Sequence, residues 1–370
     1  MPRQYRDGCS ERMTQYDLIL AGAGHAHLGV LRRWALVERP PGRIGLLSPG
    51  PEAWYAGMLP GLISGRFSPA DCRVELQPLC RAAKVELIEG EIAALDADTR
   101  ILQLADGRQL QGEWLSLNVG AGMAIPPQQG DAMQVLAARP IERLLEGWQQ
   151  WQSEPRRMAI LGGGAGGVEL ALALADQVPA LALFCGGSLL DGLAPGLRLR
   201  ALGHLRQRGV QVREHCPIGR IEDDWLLSGD EPVWRGRRLL LASGARPWPW
   251  LAASQLSSDA AGFIAIRPTL QCESHAQIFA VGDSASLDGM RRSGRFAVRQ
   301  APVLTANLQA ALQGRPLRPY RAQWQSLALL ATGDGGALLG WHDWSAGGQL
   351  YGHYKDWLDR RFVKRHRMVG

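Results

Sequence analysis

Two short glycine-rich segments, about 140 residues apart, have the residue types and spacing of phosphate-binding loops. The first is Gly22-Ala23-Gly24-His25-Ala26-His27, and the second is Gly162-Gly163-Gly164-Ala165-Gly166-Gly167. Each follows a short apolar, strand-like run and precedes a helix-like run. Glycine lets the backbone turn tightly and approach a pyrophosphate, and the helix N-terminus then offers free N–H groups to it. Each loop is therefore predicted to bind a dinucleotide.

A third segment, Ile278-Phe279-Ala280-Val281-Gly282-Asp283, reads as a late strand that ends in Gly-Asp. One glycine loop alone is weak evidence, because such loops also occur as ordinary turns. Two loops and this strand in one chain predict two dinucleotides that face each other. That arrangement suits hydride transfer from a nicotinamide to a flavin.

The elements that must position these residues repeat once along the chain: strand, glycine loop, helix, strand. The chain is therefore predicted to be α/β, with two Rossmann-like dinucleotide-binding domains, the second inserted in the first. The predicted boundaries are 14–138 and 263–318 for the first domain, 139–262 for the second and 319–370 for a small C-terminal segment. Residues 1–13 are polar and are expected to be a disordered extension, or to precede a true start at Met13.

Composition favours a folded protein, since 46% of the 370 residues are hydrophobic. No apolar run reaches the roughly 18 residues of a spanning helix, and the first residues lack a secretion signal, so a cytoplasmic location is expected. The six cysteines form no CxxC pair or metal-ligand spacing. Packed thiols are expected, with a redox pair between Cys72 and Cys80 as a minor alternative. No metal site is predicted.

The formal net charge is +6. An anionic cofactor, an acidic membrane surface or nucleic acid would each suit this charge. The basic residues are dispersed except near the C-terminus, and no nucleic-acid-binding motif is present. Nucleic acid is therefore not expected as a partner.

The ordered set of motifs resembles the pyridine nucleotide–disulfide oxidoreductase superfamily, in particular the type II NADH dehydrogenase and apoptosis-inducing-factor-like group. The branch associated with selenide–water dikinases is especially similar. The resemblance runs from about residue 16 to the C-terminus. Its motifs are the two loops, Gly57-Met-Leu-Pro-Gly61, Gly164-x-x-Gly167-Val168-Glu169, Ala242-x-Gly244-Ala-x-Pro247, the 278–283 segment and Arg299-Gln300-x-Pro302.

The resemblance implies that the first domain binds FAD and the second binds NAD(P)H as co-substrate. It implies a flavin-edge role for the helix expected after Gln300, whose positive end would stabilise the reduced ring. The implied FAD-binding residues are Gly22, Gly24, His27, Ser48, Met58, Gly120, Asp283 and Gln300. The implied NAD(P)-binding residues are Gly162, Gly164, Gly167, Glu169 and Gly244, with Glu169 and Gln300 as the catalytic candidates.

The sequence also departs from the family pattern. Residues 54–61 contain no cysteine where disulfide-using members carry a CxxxxC motif, so electrons are expected to leave the flavin directly. The acid that usually binds the ribose about 20 residues after each loop is absent, and the nearest acids are Glu52 and Asp191. A choice between NADH and NADPH therefore does not follow from the sequence.

Several residues keep a second interpretation. Glu169 is either a carboxylate at a helix N-terminus or a group near the nicotinamide or flavin. Gln300 is a flavin contact or a plain helix residue, and Tyr55 and Met58 cover the flavin or fill the core. His27 is expected to be structural or to neighbour the pyrophosphate rather than to be a catalyst.

The C-terminal segment interleaves aromatic residues such as Trp341, Trp344 and Trp357 with basic residues. Residues 356–366 at helical spacing predict either a helix lying on an anionic membrane surface or a helix docked on its own domain.

The favoured function is an FAD-dependent oxidoreductase that passes electrons from NAD(P)H to a quinone or similar small acceptor. The alternatives are a soluble reductase for a protein or selenium-linked partner, and a flavoprotein that binds nucleotide with little turnover. The oligomeric state does not follow from the sequence.

Overall fold

The computed structural model of the chain describes residues 13–37, 39–151, 157–287, 294–321 and 327–367. The predicted N-terminal extension thus lies outside the described residues except for Met13. Nine α-helices occur in the described ranges: α1 (His25–Leu36), α2 (Leu59–Ile63), α3 (Pro69–Cys72), α4 (Leu76–Ala83), α5 (Ile141–Trp151), α6 (Ala165–Leu174), α7 (Pro195–Gln207), α8 (Gly294–Ala311) and α9 (Gln349–His366).

The strands of the first half of the chain are β1 (Thr14–Ala21), β2 (Ile44–Ser48), β3 (Glu52–Trp54), β4 (Arg73–Glu75), β5 (Glu86–Glu89), β6 (Ile92–Asp96), β7 (Ile101–Leu104), β8 (Gln109–Leu117), β9 (Gly122–Met123), β10 (Gln128–Gln129), β11 (Gln134–Ala137), β12 (Arg157–Leu161) and β13 (Ala180–Phe184). Those of the second half are β14 (Gln211–Arg213), β15 (Arg220–Glu222), β16 (Trp225–Ser228), β17 (Glu231–Arg235), β18 (Arg238–Leu241), β19 (Ala245–Arg246), β20 (Ile264–Ile266), β21 (Ile278–Ala280), β22 (Ala285–Leu287), β23 (Ala328–Ala331), β24 (Ala337–Trp341) and β25 (Trp344–Gly348).

The first sheet has the order β5-β2-β1-β8-β7-β6, and β21 pairs with β8 beside Leu115 and Leu117. Strands β5, β2, β1, β8 and β21 run parallel, as expected for strands that alternate with helices. Leu18, Ile19 and Leu20 of the central strand are fully buried. The near-continuous apolar runs of this sheet follow from burial on both of its faces.

The second sheet is entirely parallel, with the order β11-β18-β12-β13-β14. The chain leaves the first sheet after β8 and returns to it with β21, so the predicted α/β class and the insertion of one unit in the other are confirmed. The predicted boundary at 138/139 is placed too late, because β11 (Gln134–Ala137) already belongs to the second sheet. This four-residue strand is too short to show a periodic apolar pattern in the sequence.

Helix α8 begins at Gly294, several residues before the predicted start at Ala301. Proline is favoured in the first turn of a helix, which made Pro302 look like a start signal. In the structure Pro302 lies inside the helix, where its ring removes one backbone hydrogen bond. Gln300 therefore lies within α8 and not at its N-terminus, so the predicted start of this helix is wrong. The flavin-edge role of the helix N-terminus stays a prediction.

The C-terminal segment forms the antiparallel sheet β23-β24-β25, followed by α9. Helix α9 docks on the rest of the chain and buries Lys355, Asp359, Val363 and His366, which recur every three or four residues on one face. Trp357 lies on another face and is 51% exposed. The docked interpretation of this helix is thus the one that the structure shows. Within the described ranges, no helix combines the length and the hydropathy needed to cross a membrane.

Candidate active site

The first glycine loop crosses the end of β8 at very short range. Gly22 has φ +89°, and a Cβ at this position would lie 2.5 Å from the carbonyl oxygen of Asn118. A Cβ on Gly24 would lie 2.5 Å from the carboxamide carbon of the same residue. Gly22 is therefore required by the backbone of Asn118 and Gly24 by its side chain, which fits the close approach that a dinucleotide loop needs.

His27 lies beneath this loop and is fully buried. Its Nδ1 donates to the carbonyl of Gly22 at 2.6 Å, so Nε2 accepts from Ser116 Oγ at 2.8 Å. Burial lowers the pKa of His27 to about 4, against the opposing effect of the Gly22 hydrogen bond. The imidazole is neutral and holds the loop in place, which agrees with the structural interpretation of this residue.

Asn118, which the sequence did not single out, ties three parts of the first unit together. Its Oδ1 accepts from the backbone N–H groups of Ala26 at 3.0 Å and His27 at 3.3 Å, and its Nδ2 donates to the carbonyl of Val281 at 3.1 Å. The only sign of this role in the sequence is that Asn118 is a polar residue directly after the apolar end of β8. This side chain fixes the start of α1 relative to the turn that carries Asp283.

Asp283 lies in the turn after β21, where sequence analysis placed a cofactor carboxylate. Its Oδ2 accepts from Arg139 Nη1 at 2.5 Å, whereas its Oδ1 is buried with no hydrogen-bond partner among the described residues. An orphaned carboxylate oxygen is costly unless a ligand donor meets it. The tight glycine loop and this acceptor fit a hydroxyl-bearing dinucleotide such as FAD.

Gln300 is buried, and its Oε1 accepts from the backbone N–H of Gly282 at 2.8 Å. It therefore holds the turn that carries Asp283. Met58 is also buried and lies in the core of the first unit, the packing role that the sequence left open. Ser48 is buried at the end of β2, while Gly120 has φ +67° and open space where a Cβ would lie.

The second glycine loop repeats this geometry. A Cβ on Gly162, which has φ +134°, would overlap the carbonyl oxygen of Ala242, and a Cβ on Gly167 would overlap that of Gly162. Open space lies beside Gly164 and Gly244. The close packing and the open space together fit the predicted binding of a second pyrophosphate.

The end of β13 carries Cys185, Gly186 and Gly187, so no acid occupies the usual ribose position. The nearby Glu214 accepts from Arg198 at 2.7 Å and from the Leu189 N–H at 2.6 Å. Those hydrogen bonds lower the pKa of Glu214. Among the residues that the structure describes, no carboxylate lies at this strand end to select NADH over NADPH.

A cavity of about 1200 Å³ lies between α1, α8 and α9 and reaches the 55–57 loop. Glu169 of α6, Tyr55 and Lys355 all line it. The structure therefore brings Glu169, from the second nucleotide unit, to the same cavity as residues of the first unit. Gln300 does not line this cavity, so the two catalytic candidates do not meet there.

A buried charged network forms one wall of the cavity. Lys355 Nζ donates to the Gly57 carbonyl at 3.0 Å and to Asp359 Oδ2 at 2.8 Å, and it lies 3.7 Å from Glu169 Oε1. Tyr55 donates its hydroxyl to Asp359 Oδ1 at 3.1 Å. Burial alone would lower the pKa of Lys355, but the two carboxylates outweigh it and raise that pKa. Burial raises the pKa of Asp359, although Lys355 opposes the rise.

Sequence analysis missed Lys355 and Asp359 because charged residues in a terminal helix are usually solvated. Their i, i+4 spacing was the available signal. Tyr55 stacks on Phe362 with 4.4 Å between ring centroids, and His25 lies 5.2 Å from both rings. These contacts hold the 55–57 loop, α1 and α9 around the cavity.

The five described cysteines are free thiols. Burial raises the pKa of both Cys72 and Cys80 to about 12, so neither is a reactive thiolate near neutral pH. In the described ranges no cluster of three or more histidine, cysteine or acidic side chains has the arrangement of a metal site.

Two sheets, one mixed with a parallel core and one entirely parallel, each carry one glycine loop, and the second is inserted in the first. This arrangement defines a two-dinucleotide fold. Residues 16–310 match the family model of pyridine nucleotide-disulphide oxidoreductases, and the chain belongs to that family. This membership confirms the predicted superfamily, an oxidoreductase activity and the cofactors FAD and NAD(P)H.

Among curated proteins, demethylphylloquinone reductase NdbB of Synechocystis sp. is 27% identical over 283 residues, covering 68% of this chain and 67% of that protein. Ferroptosis suppressor protein 1 of Taeniopygia guttata is 24% identical over 249 residues, covering 63% of this chain and 65% of that protein. The chain thus matches about two thirds of the length of these relatives.

Among solved structures, the sulfide:quinone oxidoreductase of Aquifex aeolicus superposes with a TM-score of 0.77. Its sequence identity is 15%, and the superposition covers 96% of this chain and 91% of that chain. At this identity the likeness establishes the fold alone.

Proposed function

We propose that this oxidoreductase transfers hydride from NAD(P)H to FAD and passes the electrons on to a quinone. The observation that carries the proposal is the cavity that is lined by residues of both nucleotide units. It opens beside α1, which follows the first loop, and it reaches Glu169 on α6, which follows the second. Bound FAD would supply the two-electron chemistry, while the cavity admits the acceptor.

The chain's own residues bind and orient the partners. Asp283 is proposed to accept a hydrogen bond from FAD with its buried Oδ1, while Arg139 and Gln300 hold it in place. The first loop binds the pyrophosphate through backbone groups around Gly22 and Gly24, and His27 supports that loop from below. Gly162, Gly164, Gly167 and Gly244 line the NAD(P)H cleft, and Glu169 lies where the two units meet.

The acceptor is proposed to be a quinone, since the NdbB relative is named a demethylphylloquinone reductase. Apolar residues of α8 and α9, including Pro302 and Phe362, line the cavity beside the Tyr55 and Glu169 polar groups. Such a mixture suits a flat ring that carries carbonyl oxygens. The volume is ample for a bicyclic ring.

A variant that fills the cavity tests this proposal. Ala306 lines the cavity on α8, and Ala306→Trp places an indole in it. We expect kcat/KM for a soluble naphthoquinone to fall roughly tenfold or more, by steric exclusion. The control is Gln313→Trp, an exposed position just after α8. Equal kcat/KM values for the quinone in the two variants would show that the quinone does not react in this cavity.

We also propose that the protein binds to the surface of an anionic membrane. Trp344, Leu350 and Trp357 are 57%, 77% and 51% exposed on β25 and α9, and Arg361 and Lys364 are exposed on the same helix. Exposed aromatic residues beside cations favour binding at a lipid interface.

The double variant Trp344→Ser/Trp357→Ser is expected to sediment less with phosphatidylglycerol vesicles than wild type. Trp225→Ser, at an exposed tryptophan on β16, is the control. Equal sedimentation of all three proteins contradicts the proposal.

A further inference from the structure

The cavity carries more positive than negative charge. Six cationic and two acidic side chains line it. The two acids, Glu169 and Asp359, both lie next to Lys355, at 3.7 Å and 2.8 Å. Five further guanidinium groups line the cavity: those of Arg32, Arg33, Arg299, Arg361 and Arg365.

Within the described part of the chain, none of these five guanidinium groups forms an ion pair. Arg32 donates to the carbonyl of Arg365 at 3.0 Å, and Arg361 lies 4.7 Å from the Trp357 ring centroid. Other arginines of the chain do have acidic partners, for example Arg66 with Asp356 and Arg360 with Asp71. The positive charge at the cavity is therefore not balanced by described carboxylates.

Arg299 differs from the other four because its Nη1 is buried and has no hydrogen-bond partner among the described residues. A buried donor on a charged group costs free energy unless an acceptor meets it. The residue lines the cavity from α8, next to the apolar Val298 and Pro302. A ligand with an apolar body and an anionic group would satisfy both kinds of surface, whereas a neutral quinone would not balance the guanidinium charge.

Building on the proposed quinone reduction, we propose that the acceptor carries an anionic substituent, such as a carboxylate or sulfonate, and that Arg299 binds it. The more exposed arginines at the mouth attract such an acceptor by long-range electrostatics. Arg299 then forms the charge-assisted hydrogen bond that selects it. The site is thus specific for an acidic quinone rather than for any quinone of the right size.

The test compares 1,4-naphthoquinone-2-sulfonate with 1,4-naphthoquinone, with NAD(P)H as donor. The ratio of their kcat/KM values is measured for wild type, Arg299→Gln, Arg299→Lys and the surface control Arg237→Gln. Each quinone has the same intrinsic reactivity whichever protein is assayed. The difference in reactivity between the two quinones therefore cancels when the ratios are compared between proteins. We expect the ratio to fall roughly tenfold or more in Arg299→Gln, to recover in part in Arg299→Lys and to stay at the wild-type value in Arg237→Gln. Added salt should lower the wild-type ratio.

Two results would overturn the inference. The first is an unchanged ratio in Arg299→Gln, with both quinones still reduced. If that variant also sediments less with phosphatidylglycerol vesicles, Arg299 binds lipid instead. The second is loss of bound FAD in both Arg299 variants while they remain folded by circular dichroism, which assigns the guanidinium to the cofactor. If wild type reduces neither quinone, the proposed function itself has failed, and the anion specificity that depends on it fails with it.

Discussion

His27 shows how one side chain can make a cofactor loop sensitive to pH. The folded protein holds this imidazole neutral down to a pKa of about 4, whereas the unfolded chain protonates it near the ordinary 6.5. The unfolded state therefore binds more protons between these two values, and stability falls as the pH is lowered through that window. The stabilising effect is fully present above pH 6.5.

His27→Gln keeps a donor and an acceptor beneath the loop but removes the titrating group. We expect the free energy of unfolding to depend less on pH between 6.5 and 4 in the variant, by up to about 3 kcal/mol across the window. Urea unfolding at several pH values measures this difference. His366, whose pKa burial also lowers, titrates in both proteins and so cancels in the comparison. Parallel pH profiles would contradict the account of His27.

The buried cation Lys355 gives a second prediction at the residue scale. Lys355→Met leaves the Asp359 and Glu169 carboxylates without their cation in a buried wall. We expect a loss of about 3–5 kcal/mol in the free energy of unfolding. Arg360→Met, on the same helix, breaks a pair with Asp71 in which the arginine side chain is 54% exposed, and should cost no more than about 1 kcal/mol. Similar losses in the two variants would show that the network at Lys355 is not buried as described.

At the scale of elements, the glycine loops were predictable because their constraint is local. The positive φ and close approach at Gly22 and Gly162 can be read from residue types next to an apolar strand. Strand β11 and the start of α8 were not predictable. The first is too short for a pattern, and Pro302 resembles a helix start although it lies inside the helix.

Helix α9 illustrates a second limit. Hydrophobic patterning assigns charged residues to solvent, yet this helix buries Lys355 and Asp359 against Gly57, Tyr55 and Glu169. Those partners lie 190 to 300 residues away in the sequence, to the nearest ten. A charged face is buried only when distant partners neutralise it, and no local pattern reveals such partners.

The second loop supports a prediction on nucleotide binding. Gly167→Ala places a Cβ against the Gly162 carbonyl and should distort the loop. We expect the KM for NAD(P)H to rise roughly tenfold while FAD remains bound, because the first loop is unchanged. Gly203→Ala, at an open position in α7, is the matched control and should leave KM unchanged. Loss of FAD with an unchanged KM would reverse the assignment of the two loops.

At the scale of the whole molecule, the insertion of the second unit explains why one cavity is shared. Because the chain leaves the first sheet after β8 and returns with β21, Glu169 on α6 of the inserted unit lines the same cavity as α1 and α8 of the first unit. The C-terminal α9 then closes the remaining side. The sequence predicted the two units and their order, but not the cavity, which is lined by six segments that are far apart in the sequence.

The central claim is that electrons pass from NAD(P)H to a flavin and then to a quinone within this chain. Its most direct test is anaerobic mixing of the purified holoprotein with NADH or NADPH, followed by addition of a soluble naphthoquinone. The account predicts that the oxidised-flavin absorbance is lost on adding the nicotinamide and returns on adding the quinone. A flavin that stays oxidised for minutes with both nicotinamides, or one that is reduced but is not reoxidised by the quinone, would contradict it.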